Sequence, residues 1–463
     1  MDHISIHITA VIEPMLSRAQ ACTAGGDDEG AGQLYVDILR LDRTHRQALI
    51  ELGALALAKG RREAARTAFR QAVGCHADDL TSRVTLGNMA LEDGDIPAAR
   101  LHYQSALAVN PECAEACQGM ARVLSHLGDE TAARPYWAKG FQGHAVVPRQ
   151  YRGAGHGMDI LFLAAARGGN VRLRPWIDDR VLAVTVIYAD YYDTAQPLPP
   201  HRLVVNAIGD ADLNPQALAK AQAMLAACKA PVINPPEQVR RTGRAALARH
   251  CEAIEGSRLP DVRILPRADI PAAPNLQFPV LLRTPGFHTG QHFALVETEE
   301  SLAEAVERLP GDELFIIEYL NARGADGMFR KYRVMFIDGV LYPWHLAISN
   351  DWKVHYYTAG MADNAIYREE ERLFLKDMQA VLGLRAMAAL EDLNKRLGLD
   401  FAGADFALSQ DGSILLFEAN ATMTINSPPA GGIWDYRRSA TADVQNATRK
   451  MLLRRAGVSQ FIN

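Results

Sequence analysis

Two carboxylates and one amide near the C-terminal end of the chain have a spacing that suits a divalent cation. Asp405 lies in the mostly apolar stretch 401–408, and Glu418 and Asn420 end a second stretch, 413–420. Side chains two residues apart on a strand point to the same face of a sheet. Carboxylate and amide oxygens are ligands that Mg2+ prefers. The sequence therefore predicts a magnesium site made by these three residues.

Two hairpins are predicted to position these and neighbouring side chains. Asp411-Gly412 separates the two stretches that carry the candidate ligands, and this dipeptide between apolar runs predicts a tight two-residue primed turn. Upstream, residues 330–348 form a second predicted hairpin that turns at Asp338-Gly339. The carboxylates of the first hairpin then come into register across its two strands.

Length and composition limit the class of protein. A chain of 463 residues is too long for one core and predicts two or three domains. A net charge of -5 and a pI near 6.3 argue against nucleic-acid or anionic-membrane binding. The apolar runs are all too short to span a membrane, and the six cysteines have no zinc-ligand spacing, so we expect a cytoplasmic protein with reduced thiols.

The first 145 residues carry an internal period of 34 residues. Three residue types keep this spacing through four copies: Gly26, Gly60, Gly94 and Gly128; Ala31, Ala65, Ala99 and Ala133; Tyr35, Phe69, Tyr103 and Trp137. The pattern resembles the tetratricopeptide repeat, in which each copy is a pair of helices. The glycines are predicted to form the turns between helices, the alanines to allow close helix contact, and the aromatic rings to fill the gap to the next copy.

A repeat array of this kind usually binds a partner in its concave groove. The groove positions predicted from the pattern include Asn88, Gln118 and Arg122 among neutral neighbours. This set lacks the strongly basic character that captures a C-terminal carboxylate, so the ligand stays open. Two alternatives remain: the array recruits a peptide, protein or carrier substrate, or it only docks against the second half of the chain or forms a homodimer.

Beyond the array, the chain changes from helical repeats to strands that alternate with helices. Residues 142–157 lose the period and form a predicted boundary. A small α/β subdomain with a largely parallel sheet is predicted for 157–237, followed by two α+β subdomains in 238–463. The predicted fold class is therefore multidomain, with an α-helical array before an α/β and α+β region.

The second half contains no GxxxxGK[ST] loop, so a nucleotide would have to be bound in another way. The metal triad, FPVLLRTPGFHTGQ (278–291), IIEYLN (316–321) and RKYRVMFIDGVLYPWHLAI (330–348) together resemble the ATP-grasp fold. Within that fold they are similar to the group of ribosomal-protein S6 modification ligases, glutathione synthetases and D-alanine ligases. The resemblance covers residues 157 to the C-terminus.

This resemblance implies a set of nucleotide contacts. Arg283 stands where the family has a lysine on the ATP phosphates, and Arg244 replaces another phosphate-binding lysine. Arginine keeps the positive charge and offers a planar fork that suits phosphate. The family's glycine-rich flap and its adenine-binding segment correspond to these residues: Gly286, Gly290, Glu318, Tyr319 and Leu320.

The hairpin 330–348 departs from the family at one position and matches it at another. Lys331 stands where an acidic ribose contact is expected, whereas Arg333 matches the arginine two residues later. His345, on the same hairpin, and Lys353 after it are candidates to face the acyl group. D-alanine ligases carry an arginine at the position of Gly403, so we do not expect that substrate class.

The function implied is an ATP- and Mg2+-dependent ligase that joins a carboxylate to an amine through an acyl phosphate. Arg333 and His345 are its expected catalytic residues. Two alternatives stay open: an ATP-binding scaffold without catalysis, and an enzyme that passes the acyl phosphate to an acceptor other than an amine. The carboxylate and the nucleophile are not identified by the sequence.

Overall fold

The computed structural model describes residues 2–153, 155–172, 176–286, 292–355, 359–423, 425, 427–428 and 431–458, with side chains from residue 10 onward. Contacts between residues divide the chain into two compact units, Met1–Ala145 and Val146–Asn463. No helix in the described part of the chain is long and apolar enough to cross a membrane.

The first unit consists of eight helices joined by short turns. They are α1 (Asp2–Gly25), α2 (Asp28–Leu41), α3 (Arg46–Ala58), α4 (Arg62–Cys75), α5 (Leu80–Glu92), α6 (Ile96–Val109), α7 (Ala114–His126) and α8 (Glu130–Phe141). The four turn glycines all have positive φ, between 73° and 80°, which a residue with a side chain rarely adopts. Asp27, Asp95 and Asp129 each follow such a glycine and cap the next helix by accepting a hydrogen bond from its first turn.

The repeated small and aromatic residues pack as the 34-residue period predicts. The four alanines are completely buried, and the four aromatic residues are at most 3% exposed. A Cβ atom on Gly87 would lie 2.6 Å from the Tyr103 ring, and one on Gly119 would lie 2.2 Å from it. The aromatic ring therefore needs glycine on both neighbouring helices, and the predicted helical repeat array is confirmed.

The second unit begins with a five-stranded sheet. Its elements are β1 (Val146–Pro148), β2 (Met158–Ala164), β3 (Leu182–Tyr188), β4 (Leu203–Asn206), β5 (Val232–Ile233), α9 (Pro215–Met224), α10 (Pro236–Arg240) and α11 (Arg244–Cys251). The order is β1-β3-β2-β4-β5, and every neighbouring pair except β1 and β3 is parallel. The sheet is thus largely parallel, as predicted, with one antiparallel edge strand drawn from the predicted boundary segment.

Two further sheets complete the unit. Their elements are β6 (Ser257–Arg258), β7 (Val262–Pro266), β8 (Val280–Arg283), β9 (Phe293–Val296), α12 (Leu302–Arg308), β10 (Glu313–Glu318), β11 (Phe329–Ile337), β12 (Val340–Ser349), α13 (Ala365–Lys376), α14 (Met378–Leu397), β13 (Phe401–Leu408), β14 (Ile414–Asn420) and α15 (Arg438–Arg455). The strand orders are β7-β10-β8-β9 and β12-β11-β13-β14-β6. A helical array followed by α/β and α+β sheets is the predicted fold class, which is confirmed.

The two predicted hairpins form, but only one has the predicted turn. Asp338 and Gly339 both have positive φ, 53° and 84°, and join β11 to β12 in a two-residue primed turn. The two-residue turn predicted at Asp411-Gly412 is wrong, because residues 409–413 separate β13 from β14 and only Gly412 of that dipeptide has positive φ. The Asp411 carboxylate accepts a hydrogen bond from the Ser413 amide at 3.1 Å, which stabilises the wider loop.

Candidate active site

The three predicted metal ligands come together on neighbouring strands. Asp405 on β13 lies directly opposite Glu418 on β14, and Gly403 lies opposite Asn420. The pairing shifts by one residue after Asp405, so Phe417 is an extra residue in β14 and faces the same cavity as Glu418. All three candidate ligands line this cavity, which has a volume of about 830 Å³.

Asp405 is the most deeply buried of the three and is bound by two cations. Its carboxylate accepts hydrogen bonds from Arg333 through both Nε and Nη2, the latter at 2.7 Å, and Lys331 Nζ lies 3.1 Å from Oδ2. Burial alone would raise the pKa of Asp405, but Arg333 and Lys331 outweigh it and hold that pKa far below its usual range. The carboxylate is therefore ionised at neutral pH.

Glu418 is more accessible and contacts a different cation. Arg244 Nη2 lies 3.3 Å from Glu418 Oε2, and Arg244 Nη1 lies 3.1 Å from Asp212 Oδ2. Burial raises the pKa of Asp212, against the opposing effect of Arg244. Asn420 Oδ1 accepts hydrogen bonds from the amide and hydroxyl of Thr422. Asp212 did not figure among the predicted site residues, because its pairing with Arg244 across 32 positions has no local signal in the sequence.

Arg283, one of the two predicted phosphate contacts, is fully described, whereas the predicted flap glycines are described only in part. Arg283 ends β8 and lines the cavity, with its guanidinium 5.4 Å from the centre of the Phe293 ring. Burial, and then the charge of Arg244, lower the pKa of Arg283 to about 10, so it stays protonated at neutral pH. Gly286 has a φ of 80° but is not among the described cavity-lining residues, and Gly290 lies outside the described residues.

The predicted adenine segment also lines the cavity. Glu318, Tyr319 and Leu320 follow one another at the end of β10. The Glu318 carboxylate accepts hydrogen bonds from Arg258 Nη2 at 2.5 Å and from the Asp261 amide at 3.1 Å. Leu320 packs in an apolar cluster with Ala407, Leu415, Ala322 and Phe417. This side of the cavity is therefore apolar and suited to a flat ring.

A second irregularity in strand pairing turns two neighbouring residues into the cavity. His345 pairs with Arg333, and the register then shifts so that Trp344 is an extra residue in β12. Both side chains line the cavity, and His345 is only 5% exposed. Burial, and then the charge of Arg333, hold the pKa of His345 well below its usual value. Its imidazole is therefore neutral at physiological pH.

One buried ion pair in the cavity wall was not predicted. Arg437 donates to Glu371 through Nε at 2.9 Å and lies 4.2 Å above the Trp434 ring. Glu371 is fully buried, and it also accepts hydrogen bonds from the Leu346 amide and the Tyr436 hydroxyl. Burial raises the pKa of Glu371, against the opposing effects of the Tyr436 and Leu346 donors. The Arg437 guanidinium, at 2.9 Å, is a further contact that favours the ionised carboxylate. The pair joins segments 66 residues apart, which no sequence spacing could indicate.

Positive charge predominates around the cavity. Among the described residues that line it are eight arginines and lysines but only three carboxylates, those of Glu318, Asp405 and Glu418. The lining cations are Arg172, Arg244, Arg283, Arg330, Lys331, Arg333, Lys353 and Arg437. Such an excess concentrates anionic ligands in a cleft. The cavity can therefore bind a multiply charged anion beside its apolar side.

The donor set at the centre of the cavity fits a hard divalent cation. Glu418 and Asn420 present oxygen atoms from one strand, and Asp405 faces them from the next. The described residues contain no cluster of three or more His, Cys, Asp or Glu side chains that could hold a metal ion. The predicted set does not require one, because its third ligand is an amide.

Comparisons with known proteins give matches only at the level of structure. No protein-family model matches the sequence, and no curated protein matches it. A RimK-domain ATP-grasp protein from Sphaerobacter thermophilus is 18% identical, with a TM-score of 0.38 over 65% of this chain and 98% of that one.

Tetratricopeptide proteins match a smaller part of the chain. MamA is 20% identical, with a TM-score of 0.26 over 28% of this chain and 75% of its own. YrrB, described as a TPR protein with an unusual peptide-binding site, is 22% identical, with a TM-score of 0.27 over 30% of this chain and 76% of its own.

Proposed function

We propose that the second unit is an ATP- and Mg2+-dependent ligase that activates a carboxylate as an acyl phosphate and transfers the acyl group to an amine. The observation that carries the proposal is one cavity in which an apolar side, a group of cations and three oxygen ligands lie together. These are the parts that a nucleoside triphosphate, its metal ion and an anionic substrate require.

The nucleotide would lie between the end of β10 and the central cations. Its base fits beside Tyr319 and Leu320, next to the apolar cluster that includes Phe417. Its phosphates fit beside Arg244 and Arg283, which both line the cavity and whose guanidinium groups can form paired hydrogen bonds with phosphate oxygens.

Asp405, Glu418 and Asn420 are the proposed metal site: Glu418 and Asn420 would bind the ion directly, and Asp405, which is paired with Lys331 and Arg333, would lie opposite Glu418. A bound Mg2+ ion supplies positive charge to the β- and γ-phosphates. The protein side chains orient the substrate carboxylate so that its oxygen attacks the γ-phosphorus and ADP leaves. An amine then attacks the acyl carbon, phosphate leaves, and the amine loses a proton.

His345 and Arg437 are the proposed residues of the acyl side. His345 is neutral and buried beside Arg333, so its imidazole can accept a hydrogen bond from the attacking amine, while its lowered pKa makes it a weak base. Arg437, oriented by Glu371 and stacked on Trp434, is suited to bind the anionic end of the acyl substrate. Arg333 positions Asp405 and His345 from the strand between them.

The repeat array is proposed to recruit a peptide, protein or carrier that bears the acceptor or the carboxylate. Its consecutive helix pairs form the type of surface on which repeat proteins bind extended partners. Within the array, the candidate groove residue Asn88 accepts a hydrogen bond from the Tyr103 hydroxyl, and Gln118 donates one to the Gly140 carbonyl. Arg122 is therefore the groove candidate for which the structure gives no such side-chain bond among the described residues.

The test is release of ADP and phosphate when the protein is incubated with Mg-ATP and pools of amines and short peptides. We expect Glu418→Ala to abolish acceptor-dependent release, because it removes a metal ligand and the partner of Arg244. Glu391→Ala, an exposed change on α14, is the matched control and should keep full activity. Undiminished turnover by Glu418→Ala would overturn the proposal.

A second candidate is an ATP-binding scaffold without catalysis. It is favoured by one observation: Lys331 and Arg333 already neutralise Asp405, and Arg244 is shared between Asp212 and Glu418. Calorimetry with Mg-ATP distinguishes the two, since tight binding without turnover for any acceptor would support the scaffold. Transfer of the acyl group to a non-amine acceptor would appear as ADP release that hydroxyl or thiol compounds, and not amines, stimulate.

A further inference from the structure

The two carboxylates of the candidate metal site have very different surroundings. Asp405 is 1% exposed, and both its oxygen atoms contact cations, with Arg333 on Oδ1 and Oδ2 and Lys331 on Oδ2. The Glu418 side chain is 29% exposed and, among the described residues, forms one ion pair, with Arg244 at 3.3 Å. Fixed positive charge is therefore strong beside Asp405 and much weaker beside Glu418.

The position of these cations is set by the sheet. Lys331 and Arg333 are two residues apart on β11, so both point to the cavity face, and Arg333 pairs directly with Asp405. Their side chains are only 16% and 17% exposed, which limits how far water can screen them. A divalent ion placed against Asp405 would meet two adjacent positive charges, and Coulomb repulsion scales with the product of the charges.

Sites that bind phosphoryl groups through two metal ions place those ions about 3.5–4 Å apart, with carboxylates on both. Here Glu418 and Asn420 offer oxygen ligands to one ion, while the only other carboxylate of the triad carries Lys331 and Arg333. We propose that these two side chains take the place of a second divalent ion, so that the chain binds a nucleoside triphosphate together with one divalent cation. This inference rests on the proposed function, because it presupposes nucleotide binding.

Ion stoichiometry tests the inference directly and does not depend on knowing the acceptor. The protein is dialysed to equilibrium against Mn2+ and a non-hydrolysable ATP analogue, and protein-bound metal and nucleotide are both measured. We expect about one Mn2+ per bound nucleotide in the natural protein. Lys331→Gln removes a charge beside Asp405 and should raise the ratio to about two.

Two control variants separate charge from other effects of substitution. Lys331→Arg keeps the charge and should leave the ratio at one. The amount of nucleotide bound by Lys331→Gln shows whether that variant is folded. Lys353→Gln removes the second lysine among the described residues that line the cavity and should leave the ratio at one. Its Nζ lies 5.9 Å from the centre of the Phe293 ring.

Each measured ratio of metal to nucleotide either supports or overturns the inference. A ratio of two in the natural protein, or a ratio that stays at one in Lys331→Gln, overturns the inference and leaves the proposed function intact. Nucleotide that fails to bind at all overturns the proposed function and this inference with it. The inference is supported if Lys331→Gln binds about two Mn2+ per nucleotide while the natural protein and the two control variants each bind about one.

Discussion

At the scale of single residues, the candidate site depends on charges that compensate one another in a buried place. Asp405 would be costly to bury alone, but Arg333 and Lys331 hold it ionised. In the same way, burial of the Lys331 and Arg333 charges is compensated by the Asp405 carboxylate. Charge balance at this residue therefore contributes to the stability of the folded sheet as well as to the chemistry proposed for the cavity.

Asp405→Asn should destabilise the protein by about 3–5 kcal/mol at pH 7, because it leaves two buried cations without their carboxylate. The pKa of Asp405 is lowered in the folded state, so its stabilising effect is present above the unfolded pKa of about 3.9 and is lost as the pH falls below it. The difference between variant and natural protein, measured by urea unfolding, should therefore shrink below about pH 4.

The control for this prediction is Asp443→Asn, an exposed change on α15 that should alter stability by less than about 0.5 kcal/mol. A difference between Asp405→Asn and the natural protein that stays constant from pH 7 to pH 3.5 would contradict the electrostatic explanation.

At the scale of elements, the sequence predicted what depends on local spacing. The 34-residue period placed the turn glycines, and Asp338-Gly339 placed a primed turn, because these features need only the conformational freedom of one or two residues. The opposition of Asp405 and Glu418 followed from two strands joined by a short loop, even though the loop itself is wider than predicted.

The strand register shifts and the side-chain pairs of the site could not be predicted, because they depend on contacts between segments that are distant in the sequence. The register shifts that turn Trp344 and Phe417 into the cavity are one-residue irregularities in otherwise regular strands. The pairs Arg244 with Asp212 and Arg437 with Glu371 exist only because separate helices and loops pack together. Side-chain pairing of this kind is a result of tertiary structure, so the charge balance of the site became visible only with the fold.

Glu371 joins three elements, and its replacement tests that role. Its carboxylate on α13 accepts hydrogen bonds from the β12 backbone and from the segment before α15. Glu371→Gln should cost about 3–5 kcal/mol in the free energy of unfolding, because Arg437 then keeps a buried charge without a counterion. Chemical denaturation provides the measurement.

Glu369→Gln, on the same helix, is the matched control. Glu369 pairs with Arg372 at the surface, where ion pairs contribute little, so this change should cost less than about 1 kcal/mol. Equal small effects of the two substitutions would mean that Glu371 is protonated and that the buried pair is not ionic.

At the scale of the whole molecule, each unit has apolar clusters of its own. Tyr35 and Phe69 lie in clusters of the repeat array, and Ile316 and Leu320 lie in clusters of the sheets. All described residues that line the candidate cavity belong to the second unit. Nucleotide binding is therefore proposed for that unit, and partner recruitment for the array.

Hydrogen exchange with and without Mg-ATP tests this division of roles. Ligand at 100 times its Kd stabilises the state that binds it by about 2.7 kcal/mol. Amides of β10, β13 and β14 that exchange only when the site opens should therefore slow by about 100-fold, since opening releases the ligand. Amides of α2 to α8 should exchange at unchanged rates, because none of their residues lines the cavity. Mg2+ alone is the control, and slower exchange in the array with Mg-ATP would show that nucleotide binding involves both units.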